Sequence, residues 1–287
     1  MVGDASTLGS VALGLASAAS WGAGDFSGGL ASRRASAVGV VVASQAVGIV
    51  LLVALALAIG EAAPTAGQVG WAALAGANGA FGLLALYSAL ASGRMGIAAP
   101  VSGVVGAVVP VFVGTMLHGS PGPLRFLGFA LALAGVWLLT AGGGIGRGGV
   151  RELALPFLAG VSFGLFLVFI HQAGGQAGGT TVLWPLTAAR ATSMIVLAAL
   201  GAITGTLRLP GRSALGLTCL AGLLDTGGNA FFVLAAQAGR LDVAGVLSSL
   251  YPASTVLLAC LLLGERLTRR QTTGALATLA AIACVSW

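Results

Sequence analysis

Charge is what this sequence has least of. Only 7% of its 287 residues are Asp, Glu, Lys or Arg, against roughly 25% in a soluble domain, and the mean hydropathy is +1.04. Too few polar groups are present to cover a globule in water, so a soluble fold is excluded. Lysine is absent: all 13 basic residues are arginines, spread thinly between apolar runs. The net charge of +6 therefore forms no basic patch to hold a phosphate backbone, which excludes nucleic acid as a partner. The three cysteines, Cys219, Cys260 and Cys284, are isolated in apolar segments. They show no CxxC or mixed Cys/His spacing, so neither a disulfide framework, a metal site nor any other cofactor is expected.

What is present is a series of apolar windows of about 20 residues, long enough to cross about 30 Å of hydrocarbon as helix. Charged or turn-rich breaks give ten spans: 8–30, 36–59, 67–91, 96–118, 123–141, 152–172, 181–204, 213–236, 242–263 and 270–287. MVGDASTLGS lacks the positive charge of a secretory signal, and the apolar run continues to Leu30, so it opens the first span. The 47 glycines sit mostly inside the spans, where pairs such as Gly24/Gly28 and Gly160/Gly164 would let backbones approach. Shifting the chain by 146 residues aligns Gly76 with Gly222, Gly82 with Gly228, Gly93 with Gly239, Arg94 with Arg240 and Gly128 with Gly274. The expected architecture is an all-α membrane protein of ten transmembrane helices, built as two five-helix repeats, 1–145 and 146–287. Five is odd, so the second repeat enters the membrane inverted, and a solute path is expected between the repeats near the midplane.

Ionisable groups inside a span cost roughly 2.5–3.5 kcal/mol or more and usually face a cavity or a partner. Asp25, Arg190 and Asp225 fall there. Trp21 is one turn from Asp25, and Asn229 one turn from Asp225, so each pair shares a helix face. A carboxylate beside an aromatic ring suits an ammonium group, and the arginine fork suits a carboxylate or phosphate. Arg190 either receives a solute carboxylate or pairs with an aspartate to lock helices together. Asn78 is a candidate lining or packing residue, and His118 and His171 fall at span ends. In LSSLYPAS, residues 247–254, the hydroxyls of Ser248, Ser249 and Tyr251 gather beside Pro252. Pro252 there and Pro110 in the matching fourth span of the first repeat are expected to bend their helices around the cavity. Glu265 reads as an anchor for loop arginines.

SWGAGDF at residues 20–26, the run from Gly222 to Leu276 that includes LSSLYPAS and GERLTRRQTTG, and the two-copy plan resemble the EamA branch of the drug/metabolite transporter superfamily. The resemblance covers essentially the whole chain. It departs in the first repeat, where Gly119 stands at the position matching Glu265. It implies a multi-pass carrier of a bacterial-type inner cell membrane that exports small metabolites, not an enzyme. The expected mechanism is alternating access around a midplane cavity lined by Trp21, Asp25, Arg190, Asp225, Asn229, Ser248 and Tyr251. Amino acids or related amphiphilic compounds are the expected solutes, with protons as a coupling partner. A sugar or nucleotide-sugar carrier and a non-transporting assembly or scaffold protein are the alternatives. The arginine-rich loops all fall at the end opposite the termini, which by the positive-inside rule puts the termini outside, whereas the resemblance implies cytoplasmic termini.

Overall fold

The computed structural model describes residues 2–32, 34–91, 95–140, 154–175, 181–251, 253–254, 258, 261 and 268–286. Among these no strand occurs, and the helices are α1 (Val2–Ser32), α2 (Ala37–Ile59), α3 (Ala66–Ala91), α4 (Met95–His118), α5 (Pro123–Thr140), α6 (Ala154–Gly175), α7 (Leu183–Ile203), α8 (Arg212–Ala238), α9 (Leu241–Ser248) and α10 (Arg269–Ser286). Pro252 and Glu265 lie outside the described residues. Among the described residues, five stretches are long and apolar enough to cross a membrane: Ala37–Ile59, Val101–His118, Ala154–Gly174, Leu183–Ile203 and Arg212–Ala238; Pro123–Leu138 is apolar but shorter. Serines, glycines and Asp25 lower the hydropathy of α1.

The distribution of polarity is that of a membrane protein. Met116 and Ile203 are 72% and 85% exposed, while Asp242 is fully buried and Arg190 is 4% exposed. Lipid can cover the first pair at no cost, whereas the second pair needs partners inside the bundle.

Helix packing follows an exchange rule. α1 packs on α8 as α6 packs on α3; α4 packs on α6 as α9 packs on α1; and α2 meets α8 as α7 meets α3. α2 with α7, α4 with α9 and α5 with α10 also pack on one another. The principal packing contacts therefore map onto one another when each helix is exchanged for the one five places away.

Small residues make these seams possible. Along one face of α1, the hydroxyls of Ser10, Ser17 and Ser20 donate to the carbonyls of Ala235, Gly228 and Leu224 on α8, at 2.8, 2.8 and 2.6 Å. One turn on, a Cβ at Gly24 would stand 3.3 Å from the Asp225 nitrogen, so the backbones nearly touch where both aspartates sit. On the other seam, a Cβ at Gly160 or Gly164 would meet the Cβ of Val105 or Val109 at 2.6 Å. Gly76 lies so close to the Ala189 carbonyl that no side chain could be placed there.

The largest core cluster lies at the end of the bundle that carries the chain termini. It joins Leu52, Ala72, Ala75, Leu167, Ile170, Leu186, Phe232, Val233, Leu241 and Ala244 from α2, α3, α6, α7, α8 and α9. This packed layer closes that end beneath the cavity described next.

Candidate functional site

The structure contains a central cavity of about 160 Å³. Seven helices and the turn after α9 line it, with Trp21 and Asp25 from α1, Gln45 from α2, Phe163 and Phe166 from α6, Arg190 and Ser193 from α7, and Asp225 and Asn229 from α8. α3 contributes Gly76 and Gly79, and α4 contributes Ser102, Gly103 and Gly106. These glycines leave space where side chains would fill it. Ser249 and Tyr251, at the end of α9, complete the wall.

The wall at α9 exists because the helix stops. Ser249 and Leu250 form a turn after Ser248, and Tyr251 is helical again. Position 252 is a proline, which has no N–H for the Ser248 carbonyl four residues back. The Ser249 hydroxyl donates instead to the Gly245 carbonyl at 2.7 Å, and the Leu250 N–H reaches Leu247 at 3.2 Å. The break corrects one expectation. Ser249, not Ser248, faces the cavity, while the Ser248 hydroxyl is fully buried and has no hydrogen-bond partner among the described residues. Pro110 does not line the cavity either. α4 runs as helix through it, and its ring packs where a Cβ on Gly245 would stand 2.6 Å away, at the α4–α9 contact.

The charged groups are arranged unequally. Arg190 donates from Nη2 to Asp225 Oδ2 and from Nη1 to Gln45 Oε1, each at 2.5 Å. Gln45 in turn donates to the Ser193 hydroxyl at 3.1 Å. Gly48 leaves room for this chain of contacts, since a Cβ there would stand 2.9 Å from Arg190 Nη1. The structure shows the paired arrangement of Arg190, and its Nε is buried with no hydrogen-bond partner among the described residues. Asn229, which lines the cavity, donates to the Asp225 backbone carbonyl at 2.8 Å.

Asp25 is different. It lines the cavity, its charge meets that of Asp225, and it has no ion pair or hydrogen bond among the described residues. Trp21, one turn away, stacks on Phe232 with centroids 6.1 Å apart and meets Tyr251 edge-on at 6.4 Å. Tyr251 is hydrogen-bonded to Ser102 and feels the Asp25 charge. Asp25, Trp21 and Tyr251 therefore make one corner of the cavity, in which the carboxylate has no ion pair among the described residues.

Asn78 lies away from the cavity and donates to the Leu74 carbonyl of its own helix at 2.8 Å. His118 and His171 sit at the ends of α4 and α6, as expected from their span-end positions. Sequence reading missed Gln45, Ser102, Ser193, Phe163 and Phe166. A glutamine alone in the middle of AVGVVVASQAVGIVLL was the available signal for the first. The phenylalanines carry none, because an aromatic in a lipid-facing position looks the same in sequence.

A multi-pass helical bundle with a polar-cornered cavity at its centre defines a membrane transporter. The sequence matches the family described as the EamA-like transporter family over residues 8–141 and again over 151–287. The chain belongs to that family, within the drug/metabolite transporter superfamily. Its fold is similar to that of a protein of known crystal structure, with a TM-score of 0.77 at 16% identity, covering 96% of this chain and 95% of the other. No curated protein matches the sequence.

Proposed function

We propose that this protein is a secondary transporter of small amphiphilic amines or amino acids, exporting them across the cell membrane by alternating access. In this reading residues 1–145 and 146–287 are two inverted repeats, each crossing the membrane five times. The exchange rule in the helix packing supports that symmetry. The observation that carries the substrate class is the unpaired Asp25 carboxylate beside Trp21 and Tyr251, in a cavity where the charges of Arg190 and Asp225 already compensate one another. An ammonium group placed there meets both a carboxylate and the faces of aromatic rings. Phe163 and Phe166 offer its apolar body a dry wall. The Arg190 guanidinium, which lines the cavity, would hold the carboxylate of an amino acid.

Size supports the same class. The cavity volume of about 160 Å³ is close to the roughly 150 Å³ of one that binds benzene, so it suits a molecule of amino-acid dimensions. A proton can take the place of the amine on Asp25 when the site is empty, which would couple export to proton entry.

The test is a thermal-shift panel on purified protein with amino acids, cationic aromatics, sugars and nucleotides, repeated with Asp25→Asn. A ligand at 100 times its Kd adds roughly 2.7 kcal/mol if it binds only the folded state. Stabilisation by amines that disappears in Asp25→Asn is the expected result. Stabilisation by sugars, undisturbed by that substitution, would replace the reading with a sugar carrier. No stabilisation by any class would favour a scaffold.

A further inference from the structure

At the end of the bundle that carries the termini, two charged side chains each reach from one half of the chain to a helix terminus of the other. The first is Glu61. α2 ends at Gly60, whose positive φ of 67° and the Glu61 N–H bond to the Ala56 carbonyl at 2.9 Å form a Schellman ending. That turn aims Glu61 at the start of α7. Its carboxylate accepts the N–H groups of Val182, Leu183 and Trp184, at 2.5, 3.0 and 3.1 Å. The Trp184 indole donates back to the Glu61 carbonyl at 3.0 Å. Val182, the N-cap residue of α7, has no side-chain cap of its own. A helix N-terminus carries roughly half a positive charge and open donors, so an acid from the other half of the chain supplies what α7 lacks.

The second is Arg240, at the start of α9. It donates to the carbonyls of His118 and Gly119, at 3.3 and 2.7 Å, where α4 ends. There the helix dipole is negative and carbonyls are unpaired. Asp242, fully buried, holds the guanidinium in place at 2.8 Å. The 146-residue shift that relates the two halves puts Leu207 opposite Glu61 and Gly96 opposite Asp242. The acidic halves of both devices thus belong to one end of the molecule.

We infer that Glu61 and Arg240 are the gate residues of this end: together they hold the cavity closed toward the termini, and their release opens it. The inference rests on the alternating-access reading above. α7 links the gate to the site, since Arg190 lies seven residues from Leu183, about 10 Å along the helix. A second, independent observation supports movement here. Thr115 Oγ1, His171 Nδ1 and Gln237 Oε1, near the ends of α4, α6 and α8, are buried without hydrogen-bond partners among the described residues. Buried polar atoms left unpaired need an explanation. An end that fills with water once per cycle gives them one, because the closed state then needs to satisfy them only part of the time.

The test uses the full-length protein with Cys219, Cys260 and Cys284 replaced by serine, reconstituted in vesicles of known sidedness. A single cysteine is introduced at Leu186, a cavity-lining residue of the closing layer, or at Leu83, on the wall away from it. A membrane-impermeant maleimide is then applied from each side. Glu61→Gln and Arg240→Gln should each raise labelling of Leu186→Cys from the termini side by about tenfold, the factor of one charge-assisted hydrogen bond. Labelling of Leu83→Cys from the opposite side should fall. Trp184→Phe, which leaves the carboxylate bonds intact, should change little.

Unchanged labelling in variants that elute as folded, monodisperse protein overturns the gate. If Glu61→Gln does not fold, Arg240→Gln carries the same comparison. Wild-type protein labelled from both sides in turn, with variants that behave like it, would leave transport standing and remove the gate. Wild-type protein labelled from one side only, under every ligand, would remove alternating access and the gate with it.

Discussion

Arg190 and Asp225 meet across 2.5 Å between α7 and α8 from unlike surroundings, the arginine side chain 5% exposed and the aspartate 45%. The cost of breaking the pair therefore depends on which partner goes. Asp225→Ala leaves a guanidinium buried with only Gln45, and about 3–5 kcal/mol is expected from an uncompensated buried charge. Arg190→Ala leaves a carboxylate already facing the cavity, and about 1.5–3 kcal/mol is the limit for its lost charged hydrogen bonds. Thermal midpoints of the two variants in one detergent check the order, and the reverse order would show that Asp225 is the group the fold depends on neutralising.

Asp25→Asn should hold or raise the thermal midpoint, because it removes a charge that faces Asp225 and has no ion pair among the described residues. The same variant should lose the response of transport to an imposed pH gradient. A fall of several degrees in the midpoint would instead reveal Asp25 as a structural partner.

Trp21 both packs and recognises, and these roles separate by substitution. Trp21→Leu should weaken an amine ligand about 2- to 30-fold, the equivalent of roughly 0.5–2 kcal/mol of cation–π attraction. Trp21→Phe should keep most of it. Calorimetric titration with the amine and with a neutral analogue of the same shape makes the comparison, and an equal loss for both would leave packing as the whole effect.

The glycines differ in what they permit. Gly76→Ala would drive a methyl into the Ala189 carbonyl, a backbone atom that cannot turn aside, and about 1–3 kcal/mol or more is expected. Gly216→Ala meets nothing within 4 Å and should be neutral or stabilising by about 0.4–1 kcal/mol. Midpoints of the two proteins, measured side by side, test whether the seam is as tight as drawn.

Sequence gave access to much of this site and little of its wiring. Asp25, Trp21, Arg190, Asp225, Asn229 and Tyr251 could be picked out because a polar or aromatic group in an apolar span is conspicuous. Their grouping followed only where two lay one turn apart on the same helix. The meeting of Arg190 with Gln45 joins residues 145 positions apart, and nothing local encodes it. Ser248 and Ser249 could not be distinguished in sequence, since the turn that separates their directions depends on how the chain resumes at Tyr251. Glu61 was overlooked because it stands in a loop, where a single acid is ordinary. Its significance comes from an uncapped helix 121 residues further on.

The interleaving of the two halves bears on how the protein is made. α1 finds its hydroxyl acceptors on α8, and the glycines of α3 face α6 and α7, so the helices synthesised first are fitted to helices synthesised last. During translation the early helices must wait in the lipid with serines and bare glycine grooves unmatched. The bundle can then close only when the late helices slide between them. Assembly, on this view, is a late and concerted event, and a ribosome that stops after α5 leaves behind a set of open seams.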